Sequence, residues 1–350
     1  MADIRIGNRL IGPSHPPFII AELSGNHQQN VELAMQMVEA AAKAGAHAIK
    51  LQTFTADSMT LDVDNDHFVI QEKDSLWSGE SLHALYQKAA TPYDWHKPLF
   101  EFARSLGLLA FSSPFDEQAV DFLDDLAAPC FKIASFELTD LPLIQKAASK
   151  NKPLIMSTGM ASLSEIEEAV NTAKEAGCQD IILLKCTSTY PADPTNTNLA
   201  TIANMRQAFN CQVGLSDHTG GVGVSVAAVA LGATVIEKHF VLDRSAGGVD
   251  AAFSLEPDEL SRLVIETKRA YQALGQVTYA GTQAEEKSKQ YRRSIYISQD
   301  VAQGEVLTTD NMRIVRPAFG LAPKYWQTVQ GKVAKQALRK GTALHWSMIE

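Results

Sequence analysis

The chain has 350 residues, 45% of them hydrophobic, enough for a large core and for more than one domain. Its formal net charge of −9 excludes a general nucleic-acid binder. The least polar stretch, Val222 to Ile236, is too short for a bilayer span and is broken by Gly and Ser, and "MADIRIGNRLIG" lacks a signal-peptide core, so a soluble, cytoplasmic protein without a membrane partner is expected.

In chain order, "IRIGNRLIG" predicts a small hairpin closing the bottom of a barrel. Eight short apolar runs follow: "FIIAEL" from Phe18, "HAIKLQ" from His47, "LLAFSS" from Leu108, "CFKIAS" from Cys130, "PLIMST" from Pro153, "IILLKC" from Ile181, "CQVGLS" from Cys211 and "TVIEKHF" from Thr234. Helical periodicity fills nearly every gap. "VELAMQMVEAAAKAG" ends on Gly45, and "SLSEIEEAVNTAKEAG" opens with Ser164 and Glu167 at capping-box spacing and ends on Gly177. Eight such units predict an α/β fold, a closed (β/α)8 TIM barrel, with a doubly wound open sheet as the alternative. The gap from Thr53 to Thr91 exceeds a usual loop and reads equally as an active-site wall or a solvent-facing excursion.

After Tyr271 the pattern fades into the polar "GTQAEEKSKQYRRS". The expected division is a barrel domain over residues 1–280, a linker over 281–291 and a small module over 292–350. Within the module "QGEVLTTDNM" and "KGTALHWSMI" align Gly304 with Gly341, Leu307 with Leu344 and Met312 with Ile349, which suggests pseudo-symmetry. From Arg292 onward nine Lys/Arg stand against four Asp/Glu, a net of +5, so the remainder carries −14. The four cysteines, Cys130, Cys178, Cys186 and Cys211, form no CxxC pair and fit a reducing compartment.

Chemistry in a (β/α)8 barrel gathers at the carboxyl ends of the strands. Polar residues stand there in every run: Glu22; Lys50 and Gln52; Ser112 and Ser113; Lys132 and Ser135; Ser157 and Thr158; Lys185 and Thr187; Ser216, Asp217 and His218; Lys238 and His239. Lys50 and Gln52 are two apart and share a strand face. Lysines in buried parallel strands are costly without a partner, so Lys50 and Lys132 imply an anion. His218 follows the seventh run and His239, 21 residues later, ends the eighth, which lets both reach one divalent ion or, equally, form a structural pair. His27 also follows a strand and is within reach of the pocket. No GxxxxGK[ST] run is present, which disfavours a nucleotide-cradling loop.

The segments "IAELSGNH", "AGAHAIKLQ", "FSSPFD", "FKIASFE", "STGMAS", "CTSTYP", "GLSDHT", "ALGATVIEKHF" and "RIVRPAFG" resemble the sialic acid synthase family, in order and through both domains. "TPYDWHKPLFEFARSLGLLAFSSPFD" is most similar to its pseudaminic acid synthase branch. The module resembles the antifreeze-like (SAF, β-clip) domain. The resemblance implies condensation of phosphoenolpyruvate with an open-chain acetamido sugar, 2,4-diacetamido-2,4,6-trideoxy-altrose for this branch, yielding a nonulosonic acid and phosphate. It implies Glu22 as the catalytic carboxylate, with Lys50, Ser113, Lys132, Ser135, Ser157 and Ser216 on phosphoenolpyruvate. It places Gln52, Tyr190 and Asp250 against the sugar, and His218 and His239 on a divalent metal, Mn2+ first with Mg2+ or Co2+ as alternatives. It makes Arg316 a residue acting in trans within a domain-swapped homodimer. Ser113 replaces a threonine of the family, and Ser188 stands where the N-acetylneuraminate branch has asparagine. Competing readings are an N-acetylneuraminate or legionaminate synthase, an aldolase using Lys132 as a Schiff base, and a non-catalytic sugar-binding protein.

Overall fold

The computed structural model describes residues 2–63, 65–71, 76–279 and 281–350. It divides into two compact units, one ending at Gly275 and one spanning Gln276–Glu350. The boundary expected at residue 280 falls on Ala280, outside the described residues.

The first unit opens with an antiparallel hairpin, β1 (Ile4–Ile6) and β2 (Arg9–Ile11). It sits at the amino ends of the barrel strands: Gln212 bonds the Ala2 carbonyl, and Gly7 crosses so close to Leu109 that a Cβ there would lie 2.7 Å from the leucine's Cδ2. Then come β3 (Phe18–Glu22), β4 (Ala48–Thr53), β5 (Leu109–Pro114), β6 (Phe131–Ile133), β7 (Leu154–Ser157), β8 (Ile181–Cys186), β9 (Gln212–Asp217) and β10 (Val235–His239). These eight form one closed parallel barrel in sequence order, sealed by pairing of β10 with β3. The open-sheet alternative is thereby excluded. The strands read as nearly unbroken apolar runs because helices cover the outside and side chains fill the inside.

The helices bury the stripe that a 3.6-residue period dictates. Val31–Lys43 buries Ala34, Met37, Val38 and Ala41, and the Asn30 side chain caps it by accepting from the Leu33 N–H. The helix Leu163–Glu175 corrects one expectation. Its capping box is Ser162 with Glu165, and Ser164 lies inside the first turn. Two overlapping S-x-x-E spacings occur here, and the extended backbone at Ser162 selects the first. The Thr53–Thr91 segment is largely ordered, with helices Ala56–Met59 and Leu82–Ala89, although Asp64 of its "DVDNDHF" motif lies outside the described residues.

The second unit begins with short helical turns, Gln283–Glu286 and Lys287–Tyr291, where a plain linker was expected. Its antiparallel pair is β11 (Ser294–Ile297) and β12 (Met312–Val315). The internal echo has a structural counterpart. Gly304 and Gly341 both turn in the left-handed region, at φ +82° and +86°. Leu307 and Leu344 are fully buried in its core, beside Met312 and Ile349. Among the described residues no helix is long and apolar enough to cross a membrane.

Gly214 shows how tightly β9 and β10 are drawn together. A Cβ there would sit 2.3 Å from the Val235 carbonyl oxygen and 2.8 Å from the Val235 Cβ. Backbone cannot yield as a flexible side chain can, so Gly214→Ala is expected to cost about 1–3 kcal/mol. Urea denaturation of the purified variant checks this; an unchanged midpoint would contradict the close approach.

Candidate active site

Strand alternation and register decide which side chains meet. Glu22, at the end of β3, pairs in register with Lys50 on one side and His239 on the other. Its carboxylate forms a buried ion pair with the Lys50 ammonium, which also donates to Ser113 Oγ at 3.3 Å. Gln52 lies two residues further on the same face, half-buried and opposite Ser113 in the register. Across the barrel, Lys132 is buried and lies 3.5 Å from Glu237 Oε1. That oxygen accepts from Ser216 Oγ at 3.1 Å, while Glu237 Oε2 is buried without a hydrogen-bond partner among the described residues.

These four charges act on one another. Burial pushes the Glu22 carboxyl up to about 7, against the pull of Lys50. Burial works against the charge on Lys50, but Glu22 and Glu237 outweigh it and raise its pKa. Lys132 is lowered, by burial first and also by Lys50, with Glu237 opposing. Removing this much charge from water is costly, and each ammonium has a carboxylate neighbour that offsets part of the cost.

The serines complete a polar floor. Ser135 Oγ accepts from the Gly159 N–H at 3.1 Å. Gly159 permits this passage: a Cβ would fall 2.1 Å from Ser188 Oγ. Ser157 Oγ is buried with no hydrogen-bond partner among the described residues, so it is available to a ligand oxygen.

His218 and His239 converge, their ring centroids 5.3 Å apart. His218 Nδ1 donates to the Thr187 carbonyl at 3.1 Å, since a carbonyl only accepts, and in the neutral ring this leaves the lone pair on Nε2. His239 Nδ1 is buried without a hydrogen bond, with Asp250 Oδ2 3.5 Å away. Burial drives the His239 pKa well below its ordinary value, so the ring is neutral. Two neutral-capable imidazoles, one with an orphaned nitrogen, fit a borderline divalent cation. Among the described residues no three His, Cys, Asp or Glu side chains converge closely enough to hold a metal by themselves. For such a cation the pair would supply two ligands, and water or substrate oxygen would have to complete the shell.

An aromatic wall flanks the pair. The Tyr190 ring lies 4.6 Å from His218 and 5.2 Å from Phe253, and Trp77 lies 6.2 Å from Tyr190. Trp77 comes from the Thr53–Thr91 segment and donates its Nε1–H to the Val249 carbonyl, so that segment does wall the site. Asp250 bonds Ser24 through its carboxylate. A cavity of about 520 Å³ opens on the rim between Gly25, Gln28, Trp77, Gly248, Val249 and Ala252. It is lined by none of the sequence-derived site residues.

Several expectations need correction. His27 does not reach the pocket; its Nε2 meets Thr91 Oγ1 at 3.0 Å and its ring packs edge-on to Trp95. Asp217 and Lys238, counted with the strand-end set, pair with each other and with Ser225 of the helix Gly223–Ala230, on the opposite strand face from Ser216 and Glu237. Glu237 was missed, although its position two residues before His239 places it on the same face. Cys186 was also missed as a neighbour, its Sγ 3.9 Å from His218 Nδ1. Arg316 is exposed in the second unit, after β12.

A sequence model of the NeuB family matches residues 37–279, and one of the SAF domain matches residues 292–350. The pseudaminic acid synthase of Campylobacter jejuni is 44% identical over 93% of this chain and 95% of its own length. That of Helicobacter pylori is 42% identical over 96% of this chain and 98% of its own. Among solved structures, an N-acetylneuraminic acid synthetase from Leptospira borgpetersenii in complex with citrate superposes with a TM-score of 0.73 at 33% identity, covering 82% of this chain and 94% of that one.

Lys132→Met should cost about 3–5 kcal/mol, because Glu237 is left buried and uncompensated. Lys132→Met with Glu237→Leu should recover most of that loss. Guanidinium denaturation reads both, and a single variant as stable as the parent would contradict the buried pairing.

Proposed function

The chain belongs to the NeuB family, and we propose that it is a pseudaminic acid synthase, a transferase condensing phosphoenolpyruvate with 2,4-diacetamido-2,4,6-trideoxy-altrose. One observation carries the chemistry: two buried ammonium groups and two convergent imidazoles share the mouth of one barrel. The acceptor rests on the likeness to pseudaminic acid synthases over nearly the whole chain. We further propose a cytoplasmic homodimer in which the basic module lends Arg316 to its partner's barrel, in keeping with a +5 module beside a −14 remainder.

Lys50 and Lys132 receive the phosphate and carboxylate of phosphoenolpyruvate, loosening their hold on Glu22 and Glu237. Ser113, Ser135, Ser157 and Ser216 donate hydroxyl hydrogens to the same oxygens. His218 and His239 would hold a divalent metal, Mn2+ first and Mg2+ or Co2+ otherwise, which when bound would supply Lewis-acid polarisation of the acceptor aldehyde. Gln52, Tyr190 and Asp250 orient the sugar so that its aldehyde carbon meets C3 of the enol. Water adds at C2, and phosphate leaves with cleavage of its C–O bond. Glu22, with a pKa near neutrality, suits proton transfer at the reacting centre.

Incubation with phosphoenolpyruvate, Mn2+ and a panel of acetamido sugars, read by product mass and phosphate release, tests the reading. The altrose substrate should give the nonulosonic acid. Product from N-acetylmannosamine or the legionaminic precursor alone would reassign the acceptor, and no phosphate release with any sugar would leave a binding protein. Glu22→Gln should lower turnover about 10²–10⁴-fold while phosphoenolpyruvate affinity stays within a few-fold; near-normal turnover would remove Glu22 from the chemistry. Chelation should abolish turnover, and borohydride should trap no lysine adduct; the reverse pair of results favours the Schiff-base aldolase.

A further inference from the structure

The two strands at whose ends the histidines stand, β9 leading into His218 and β10 ending on His239, also carry a second polar pair on their other face. Asp217 and Lys238 are register partners, one step along from the inner pair Ser216 and Glu237. Their side chains are 1% and 0% exposed, and Lys238 Nζ lies 3.0 Å from Asp217 Oδ2. Around this contact hydrogen bonding is dense. Asp217 Oδ1 accepts from the Thr219 N–H at 2.9 Å and from Thr219 Oγ1 at 2.7 Å. Asp217 Oδ2 accepts from Ser225 Oγ at 2.6 Å. Lys238 Nζ donates to the Thr219 carbonyl at 2.5 Å.

The consequence falls on the residue between Asp217 and Thr219, which is His218. Its predecessor is held through the side chain, and its successor through N–H, hydroxyl and carbonyl together. His239 follows Lys238 directly, and its own carbonyl accepts from the Leu255 N–H at 2.8 Å. One ammonium thus ties the turn that presents the first imidazole to the strand that presents the second.

Stability gives no reason for such a pair, since apolar residues of similar volume commonly serve a buried position as well or better. Positional control does give one. With only two protein ligands, the separation and tilt of the rings cannot be set by a third side chain, so the surrounding framework must set them. We propose that Asp217 and Lys238 are positioning residues that hold His218 and His239 at the spacing a single divalent cation requires. They touch neither the cation nor the substrates. This rests on reading the histidine pair as a metal site.

The test is Mn2+ titration of the full chain, followed by electron paramagnetic resonance, for the parent and for the double variant Asp217→Leu/Lys238→Met, which removes both charges together. The double variant should fold with a near-parental melting temperature and bind phosphoenolpyruvate within about two-fold, yet bind Mn2+ about 10–100-fold more weakly. A folded double variant that binds Mn2+ within two-fold of the parent overturns the positioning role. A parent that binds no stoichiometric Mn2+ overturns the metal reading itself, and this inference with it. If the double variant does not fold, Ser225→Ala removes one donor from Asp217 and leaves no charge unpaired. It should weaken Mn2+ binding while leaving phosphoenolpyruvate binding unchanged, and parental Mn2+ affinity in it overturns the proposal.

Discussion

Two ammonium groups buried at the mouth of a closed barrel constrain everything else in this site. Lys50 and Lys132 cannot remain charged away from water without negative partners, and Glu22 and Glu237 answer them. Each lysine is held in place by a carboxylate, a hold that the dianion of the proposed reaction would relieve. Because Glu22 is coupled to this balance, its affinity for a proton depends on what the lysines are bound to. Ligand binding and proton transfer are thereby linked through one set of charges.

The second constraint is parity. A strand in a closed barrel sends alternate side chains inward and outward, so adjacent positions do different work. On β9 and β10 the inner face carries Ser216 and Glu237, and the outer face carries Asp217 and Lys238. Gly214 lets these two strands approach closely where their pairing begins, at Val235. The same two strands accordingly carry a buried polar pair on each side, Ser216 with Glu237 inside and Asp217 with Lys238 outside.

Much of this was legible before any coordinates. All eight strands lie within a residue or two of their apolar runs, because burial on both faces leaves a nearly unbroken apolar signal. Lys50, Lys132, His218 and His239 stood out because charged and metal-ligating residues at strand ends conflict with a dry core. The glycine-anchored echo in the second unit was visible because left-handed turns demand glycine at both copies. Other features were hidden for physical reasons. Glu237 and Lys238 are both polar strand-end residues, and composition does not separate them; applying alternation back from His239 does. Trp77 joins the wall through a long segment whose path no local pattern specifies. His27 satisfies itself with Thr91, a partner 64 residues away, which no local spacing reveals.

The most direct test of the central claim is a crystal structure of the chain soaked with Mn2+ and phosphoenolpyruvate, with data collected at the manganese edge. One anomalous peak bound by His218 and His239, beside an enol phosphate contacting Lys50 and Lys132, is the predicted result. A peak elsewhere, or a phosphate bound away from both lysines while Glu22 and Glu237 keep their pairs, would contradict it.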